Sequence, residues 1–145
     1  MPPSVRAGVA TPEFVATQEL FRADGLTLSA GSDIVTANIV NQVTGKAGVI
    51  DVSPVGNGLL VVNVGGASGT TPSLSLFFDV QDAYGNWVPV SPSGGLTTPV
   101  AITGAGLFSG NISAGAVLTY NGRIRWTVTG TTPSFTGVSL NLFGR

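Results

Sequence analysis

Short runs of alternating apolar and polar residues, each closed by glycine or proline, fill the chain from residue 17 to its end. Residues 73–81 (SLSLFFDVQ) show the pattern best. An alternation of period two places one set of side chains on each face of a β-strand. The 21 glycines and 9 prolines interrupt every longer apolar run, so the sequence predicts no long helix and no membrane-spanning helix. We therefore expect an all-β domain.

Two dipeptides predict tight hairpins. Asp24-Gly25 separates two alternating runs, and Asn121-Gly122 separates residues 116–120 from residues 123–129. Both dipeptides tolerate positive φ at two successive positions, which a type I′ turn requires. The first hairpin would place Phe21 opposite Leu28, and the second would place Val117 opposite Trp126. In the second hairpin we expect Val117, Ile124, Trp126 and Val128 to face the core.

The other strand candidates are residues 34–40, 49–52, 58–64, 73–81, 87–90, 100–103, 106–108 and 138–143. Residues 33–43 also fit a short helix, and that alternative stays open. Pro89 restricts its strand to a sheet edge or a bulge, because proline has no backbone N–H to donate. No repeat of fixed period is found, which argues against a solenoid or a propeller. The prediction is one β-sandwich or jelly-roll-like barrel domain over residues 17–145.

Residues 1–16 show neither strand nor helix periodicity and contain three prolines. We interpret them as an extended N-terminal arm, and a frayed terminus is the open alternative. Apolar side chains that a solvated tail usually lacks make the arm a candidate for binding a neighbouring protein. The candidate arm residues are Pro3, Val5, Arg6, Val9, Phe14 and Val15.

The absence of histidine and cysteine excludes most catalytic chemistry. Ser-His-Asp and Cys-His nucleophiles cannot be assembled, nor can imidazole or thiolate metal sites, disulfides or redox motifs. Seven acidic residues and one lysine, Lys46, leave few groups for acid-base or Schiff-base catalysis. We therefore expect no catalytic residues, no metal and no cofactor, and a binding or structural role.

The charge balance argues against nucleic-acid and membrane partners. The net charge is −1 and only 9% of residues are charged, whereas phosphate binding needs a basic face. The N-terminus has one basic residue and no continuous apolar run after it, so it does not resemble a secretory signal, and we expect production in the cytoplasm. A neutral, glycine-rich surface gives little colloidal repulsion, which favours self-assembly.

Asp79, Arg123 and Arg125 are predicted on the polar faces of their strands. An ion pair among them is one interpretation; separately solvated charges are favoured, because exposed pairs stabilise by only ~0–1 kcal/mol. Arginine and tyrosine are enriched in protein interfaces. We therefore propose a subunit interface formed by Leu118, Tyr120, Arg123 and Arg125.

Two further groups of residues have alternative roles. The aspartates at 24, 33, 51 and 82 lack the spacing of a calcium-binding loop and are interpreted as turn residues. Tyr84, Trp87, Tyr120 and Trp126 could stack on a sugar, although Trp126 alternates with core positions and is expected to be buried.

Residues 122–136 (GRIRWTVTGTTPSFT), 138–143 (VSLNLF) and 77–90 (FFDVQDAYGNWVPV) resemble small virion proteins of tailed bacteriophages. These blocks cover most of the second half of the chain and contain no catalytic signature. Size, low charge and the N-terminal arm most resemble the head-decoration, or capsid-cementing, family.

That resemblance implies a homotrimer of β-sandwich subunits on the outside of an icosahedral head. Its partner would be the major capsid protein, at three-fold and quasi-three-fold positions. Each contact could be weak, because a trimer engages several capsid subunits at once. Binding would stabilise the mature capsid by mass action.

Two alternatives come from other classes of protein. A tail or fibre module that binds host-surface carbohydrate predicts an exposed Tyr84 and Trp87. A cell-wall glycan hydrolase needs two carboxyl groups roughly 5–10 Å apart in a cleft. The two glutamates, Glu13 and Glu19, both lie in or near the arm, which leaves the hydrolase as the weakest alternative.

Overall fold

The computed structural model describes residues 16–90, 102–112 and 121–145, and these residues form a nearly all-β structure. The predicted arm therefore lies outside the described residues, except for Ala16. The elements are β1 (Gln18–Ser29), β2 (Gly31–Ile34), α1 (Val35–Asn38), β3 (Ile50–Asp51), β4 (Gly58–Val64), β5 (Gly66–Gln81), β6 (Trp87–Pro89), β7 (Gly106–Ile112) and β8 (Asn121–Gly144). The all-β prediction is confirmed.

Strand β8 is the central strand of one antiparallel sheet. Along its 24 residues it pairs with β1, β2 and β3 on one edge and with β4 and β5 on the other. Strand β7 extends the sheet from β4, and β6 extends it from β5. The chain thus forms few long strands where the sequence predicted many short ones.

The sheet has two halves that share β5 and β8. One half pairs residues 73–80 of β5 with residues 122–129 of β8, and the other places residues 140–144 of β8 between β1 and β4. Buried side chains of both halves belong to one core, which includes Leu76, Phe78 and Ile124 from the first half and Leu60 and Leu142 from the second. A sheet that buries both halves in one core is folded over on itself, as in a sandwich.

The sheet bends where the sequence contains a repeated pentapeptide. Gly-Thr-Thr-Pro-Ser occupies residues 69–73 in β5 and residues 130–134 in β8, and the two copies lie side by side in the antiparallel pair. A Cβ on Gly69 would lie 2.6 Å from the carbonyl oxygen of Thr132, and one on Gly130 would lie 2.8 Å from that of Thr71. Thr71 and Thr132 both have positive φ, at 49° and 47°. The two copies therefore bend both strands at one corner through the same backbone conformation.

Both hairpin predictions are wrong, although the residues that they assigned to the core are largely buried. Strand β1 continues through Asp24-Gly25, and a register shift between Ala23 and Leu26 accommodates the positive φ of Gly25 (70°) as an irregularity in its pairing with β8. A dipeptide that favours a turn can also form a bulge, and the long partner strand β8 selects the bulge. Phe21, Ala23 and Leu28 are buried as predicted.

Asn121-Gly122 likewise lies inside a strand. Gly122 pairs with Val80 on one side and with Ile50 on the other, and a Cβ on it would lie 2.5 Å from the Phe78 ring. Glycine is thus required here for close packing and not for a turn. The predicted partner of Trp126, Val117, lies outside the described residues, and the observed partners of Trp126 are Leu76 and Asp33.

The structure also tests the predictions for Pro89, for the core residues of β8 and for residues 33–43. Pro89 lies in the edge strand β6, as expected, and Ile124 and Val128 are buried. Residues 35–38 form the helical turn α1, so the helical alternative holds for that part of residues 33–43. Trp126 packs against the core but is only partly buried, and the strand beside it, β2, pairs only with β8 among the described residues.

Candidate protein-binding face

Two arginines and one carboxylate meet on the outer face of β5 and β8. Strand register places Asp79 directly opposite Arg123, and Arg125 lies two residues further along the same face. Arg123 Nε donates to Asp79 Oδ2 at 2.8 Å. Arg125 donates to both oxygens of Asp79, from Nε at 2.5 Å and from Nη2 at 3.0 Å. Asp79 therefore holds both guanidinium groups.

Asp79 is buried although it lies on the outer face. Its side chain is 2% exposed, whereas those of Arg123 and Arg125 are 20% and 28% exposed. Burial by itself would raise the pKa of Asp79, but the hydrogen bonds and charges of Arg125 and Arg123 outweigh burial and lower its pKa below the usual value. The interpretation of separately solvated charges is corrected: the three groups form an ion triad, because the arginine stems cover the carboxylate.

Each guanidinium also stacks on an aromatic ring. Arg123 lies 4.5 Å from the centre of the Trp87 ring, and Arg125 lies 4.6 Å from the centre of the Phe77 ring. Cation–π contacts of this kind stabilise by roughly 0.5–2 kcal/mol. Hydrogen bonds and stacking together hold both arginines in one orientation. We call the surface formed by Phe77, Asp79, Trp87, Arg123 and Arg125 the arginine face.

The loop beside the arginine face is also ordered by a carboxylate. Asp82 Oδ1 accepts from the backbone N–H groups of Tyr84 and Asn86, both at 2.8 Å, and Oδ2 accepts from the Asn86 side chain at 2.9 Å. Hydrogen bonds from Asn86 lower the pKa of Asp82. The loop presents Tyr84 with 91% of its surface exposed. The turn role predicted for Asp82 is confirmed.

The structure brings together only part of the predicted interface. Arg123 and Arg125 lie side by side, whereas Leu118 and Tyr120 lie outside the described residues. The predicted second hairpin would also place Leu118 opposite Arg125, and this pairing is wrong, because Arg125 has Phe77 and Ile34 as its strand partners. Sequence reasoning missed Phe77 and Trp87 as stacking partners. The alternation of residues 73–81 did place Phe77 and Asp79 on the same face, which was the available signal.

The arm candidates Pro3, Val5, Arg6, Val9, Phe14 and Val15 lie outside the described residues. The described part of the chain begins beside a shallow groove of about 370 Å³, lined by Thr17, Asn57, Gly58, Leu59, Phe143, Gly144 and Arg145. A second hollow, of about 300 Å³, lies between β2 and Trp126.

Charged groups of the described residues do not form a metal site. Over residues 16–90, 102–112 and 121–145, no three His, Cys, Asp or Glu side chains are placed to hold a metal ion. Glu19, one of the two glutamates, accepts a hydrogen bond from Asn141 at 2.7 Å and lies 3.8 Å from Arg22. None of the helices in these ranges is long and apolar enough to cross a membrane.

Comparisons with known proteins leave the family of the chain open. No family model matches the sequence, and no curated protein matches it. Solved structures with some likeness include the VP2 subviral particle of infectious bursal disease virus, with 13% identity and a TM-score of 0.33, over 90% of this chain and 32% of that chain. The Gt strain of the same virus gives 13% identity and a TM-score of 0.36, over 90% and 33%.

A carbohydrate-binding module from the family 9 glycoside hydrolase Cel9A of Ruminococcus flavefaciens FD-1 gives 12% identity and a TM-score of 0.30, over 85% of this chain and all of the module. The chain spans about a third of the length of the viral proteins that it matches. At these identities and TM-scores the likenesses carry no argument about function.

Proposed function

We propose that this chain is a non-enzymatic structural protein of a virion that binds other protein subunits through the arginine face. The observation that carries the proposal is the ion triad of Asp79, Arg123 and Arg125, with each guanidinium stacked on a ring. Arginine and aromatic side chains dominate the energetics of protein interfaces. A surface already held in one conformation also loses little side-chain entropy on binding.

The specific role that we propose is decoration of a tailed-bacteriophage head. The resemblance of residues 77–90, 122–136 and 138–143 to small phage virion proteins supports it, and the arginine face lies within the first two of these blocks. The protein would be made in the host cytoplasm and assemble as a homotrimer on the outer surface of the capsid. Its partner would be the major capsid protein, with no nucleic acid, membrane, metal or cofactor involved.

Sedimentation tests this role directly. Sedimentation equilibrium of the purified protein is expected to give a trimer, and the trimer is expected to co-sediment with undecorated expanded heads of the phage that carries the gene. Protein that remains in the supernatant at saturating concentration would contradict the decoration role.

Substitutions separate the arginine face from the rest of the surface. Arg123→Ala is expected to reduce head binding at least about tenfold, whereas the control Arg22→Ala, on the other half of the sheet, leaves it unchanged. Ser32→Lys adds a long side chain at an exposed position on the outer face, away from the ion triad, and should also weaken binding. If Arg123→Ala and Ser32→Lys bind heads as tightly as Arg22→Ala does, another surface contacts the capsid.

A carbohydrate-binding module of a tail or fibre is the second candidate, favoured by the 91% exposure of Tyr84. Aromatic rings bind sugars through a free face, and one face of the Trp87 ring is already covered by Arg123. A glycan array decides between the two: binding that is lost in Tyr84→Ala would support this candidate against capsid decoration.

A further inference from the structure

A hollow of about 300 Å³ lies beside Arg125, where β2 meets β8. It is lined by Ser32, Asp33, Ile34, Arg125 and Trp126. Strand register explains this lining, because Ile34 lies directly opposite Arg125 and Asp33 lies opposite Trp126. The hollow therefore adjoins the arginine face.

Arg125 uses only part of its hydrogen-bonding capacity within the chain. Its Nε and Nη2 donate side by side to the two oxygens of Asp79. A guanidinium carries its five N–H groups in a planar fork, so a second edge remains, formed by Nη1 and the other N–H of Nη2. Among the described residues, no acceptor hydrogen-bonds to this edge. Two parallel N–H groups of this kind bind a carboxylate through both of its oxygens.

A pair of hydroxyl groups supplies a second donor at the hollow. Ser32 lies opposite Thr127, and their hydroxyl oxygens are 2.9 Å apart and share one hydrogen bond. Two hydroxyl groups have two protons, and this hydrogen bond uses one of them, so the other can donate to a further acceptor. Ser32 and Arg125 both line the hollow. The hollow thus combines one positively charged donor and one neutral donor.

The charge around the hollow matches a single carboxylate. The two arginines and Asp79 leave the ion triad with a surplus of one positive charge. Asp33 also lines the hollow, and its Oδ1 accepts from the Ile34 N–H and from the Asn38 side chain, both at 2.7 Å. Its negative charge disfavours a polyanion, which needs a longer basic surface. One carboxylate meets complementary charge at Arg125, and its methylene stem meets the apolar walls formed by Ile34 and Trp126.

We propose that the hollow binds the carboxylate of an aspartate or glutamate side chain on the capsid subunit that this chain decorates. Arg125 donates through its edge of Nη1 and Nη2, and the hydroxyl pair of Ser32 and Thr127 donates the neutral hydrogen bond. The inference rests on the proposed function and names the chemistry of the partner. Asp79 and Phe77 hold Arg125 in place before binding, so little side-chain entropy is lost. The Arg125 side chain is 28% exposed, so a partner can reach it.

Acetate tests the hollow without any capsid. Sodium acetate replaces sodium chloride at constant ionic strength while NMR spectra of the purified protein are recorded. The Nε–H signal of Arg125 and the backbone amide signal of Ser32 are expected to shift with acetate concentration, whereas the Nε–H signal of Arg22 is not. Ser32→Ala should weaken acetate binding about threefold or more, and the control Ser29→Ala, at an exposed position of β1, should not. The absence of a shift at Arg125, or an equal shift at Arg22, would overturn the proposal.

Chemically blocked heads test the source of the carboxylate. A carbodiimide couples glycinamide to the exposed carboxylates of undecorated heads, and electron microscopy checks that the heads stay intact. The blocked heads are expected to bind this protein at least about tenfold more weakly, because the acceptor has been removed. Acetylation of the lysines of the heads is the control and should not weaken binding. Undiminished binding to the blocked heads would overturn the proposal.

Variants of the hollow complete the test on untreated heads. Arg125→Lys keeps the charge but loses the paired N–H groups, and it should bind at least about tenfold more weakly. Since Arg125 belongs to the ion triad, urea unfolding checks that this variant is folded. Ser32→Ala leaves the triad intact and should bind about threefold more weakly or less tightly still, whereas Ser29→Ala should bind like the wild type. The weaker binding expected of Ser32→Lys has the same origin, because its side chain fills the hollow.

The outcomes separate this inference from the decoration role. If acetate binds at Arg125 but both Arg125→Lys and Ser32→Ala bind heads like the wild type, the hollow takes small anions only, and the proposal is overturned while decoration stands. If the wild type does not bind heads although acetate shifts the Arg125 signal, the decoration role fails, and with it the capsid as the source of the carboxylate.

Discussion

At the scale of single residues, Asp79 decides the chemistry of the outer face. It accepts three hydrogen bonds from two arginines and is almost completely buried by them. Alternation predicted its face but not its burial. Alternation describes the direction of a side chain, whereas burial here depends on the long arginine side chains of a neighbouring strand that is 44 residues away in sequence.

Asp79→Asn is expected to lower the free energy of unfolding by about 1–3 kcal/mol, because it leaves two positive charges without their common partner. Urea unfolding at neutral pH measures the change. Asp24→Asn is the control, since it makes the same chemical change at an exposed position and should not shift the unfolding midpoint measurably. Equal midpoints for the two variants would contradict the stabilising role of the ion triad.

The same carboxylate makes the stability depend on pH. The pKa of Asp79 is lower in the folded protein than its usual value of about 3.9, so the folded state favours the ionised form. Its contribution is fully present above that usual value and is lost as the pH falls through the lowered pKa. The urea midpoint of the wild type should therefore fall more between pH 7 and pH 3 than that of Asp79→Asn. Parallel pH profiles of the two proteins would argue against this contribution.

At the scale of elements, the corner between β5 and β8 determines how the sheet folds over. The two Gly-Thr-Thr-Pro-Ser segments bend both long strands at one level, with each glycine packed against the backbone of the other segment. A side chain at either glycine would collide with main-chain atoms, which cannot move aside as a flexible side chain can. The corner therefore depends on glycine at both positions.

Gly130→Ala should destabilise the protein by about 1–3 kcal/mol, because the new Cβ adds steric overlap to a φ of 128°. Gly56→Ala is the matched control: no atom lies within 4 Å of its Cβ position, and the change should stay within about 0.5 kcal/mol. Thermal or urea unfolding compares the two. A small effect for Gly130→Ala would mean that the corner can relax around a side chain.

At the scale of the whole molecule, charge is sparse and its largest described cluster lies on one face of the sheet. The chain has six basic and seven acidic residues, and the largest charged cluster among the described residues is the ion triad of the arginine face. The proposed decoration role uses this face as its contact with other subunits.

Deletion of residues 1–16 tests the proposed arm at this scale. The described core begins its first strand at Gln18, so the truncated protein is expected to keep its free energy of unfolding, measured with urea, within about 0.5 kcal/mol of that of the full chain. Attachment to heads should weaken, because the arm would supply main-chain hydrogen bonds to a neighbour. Full attachment of the truncated protein, measured by co-sedimentation, would contradict the arm hypothesis.

Period-two alternation by itself determined the fold class and the inward face of residues 73–81, because these follow from local geometry and side-chain polarity. The missing backbone N–H of proline determined the place of Pro89 at an edge. Only the tertiary structure decided whether Asp24-Gly25 and Asn121-Gly122 turn the chain or lie within a strand. A glycine that permits a turn equally permits a bulge or a close contact, and the long strand β8 selects between them. The tertiary structure alone also decided the arginine face, since its residues come from three strands that only the fold brings together.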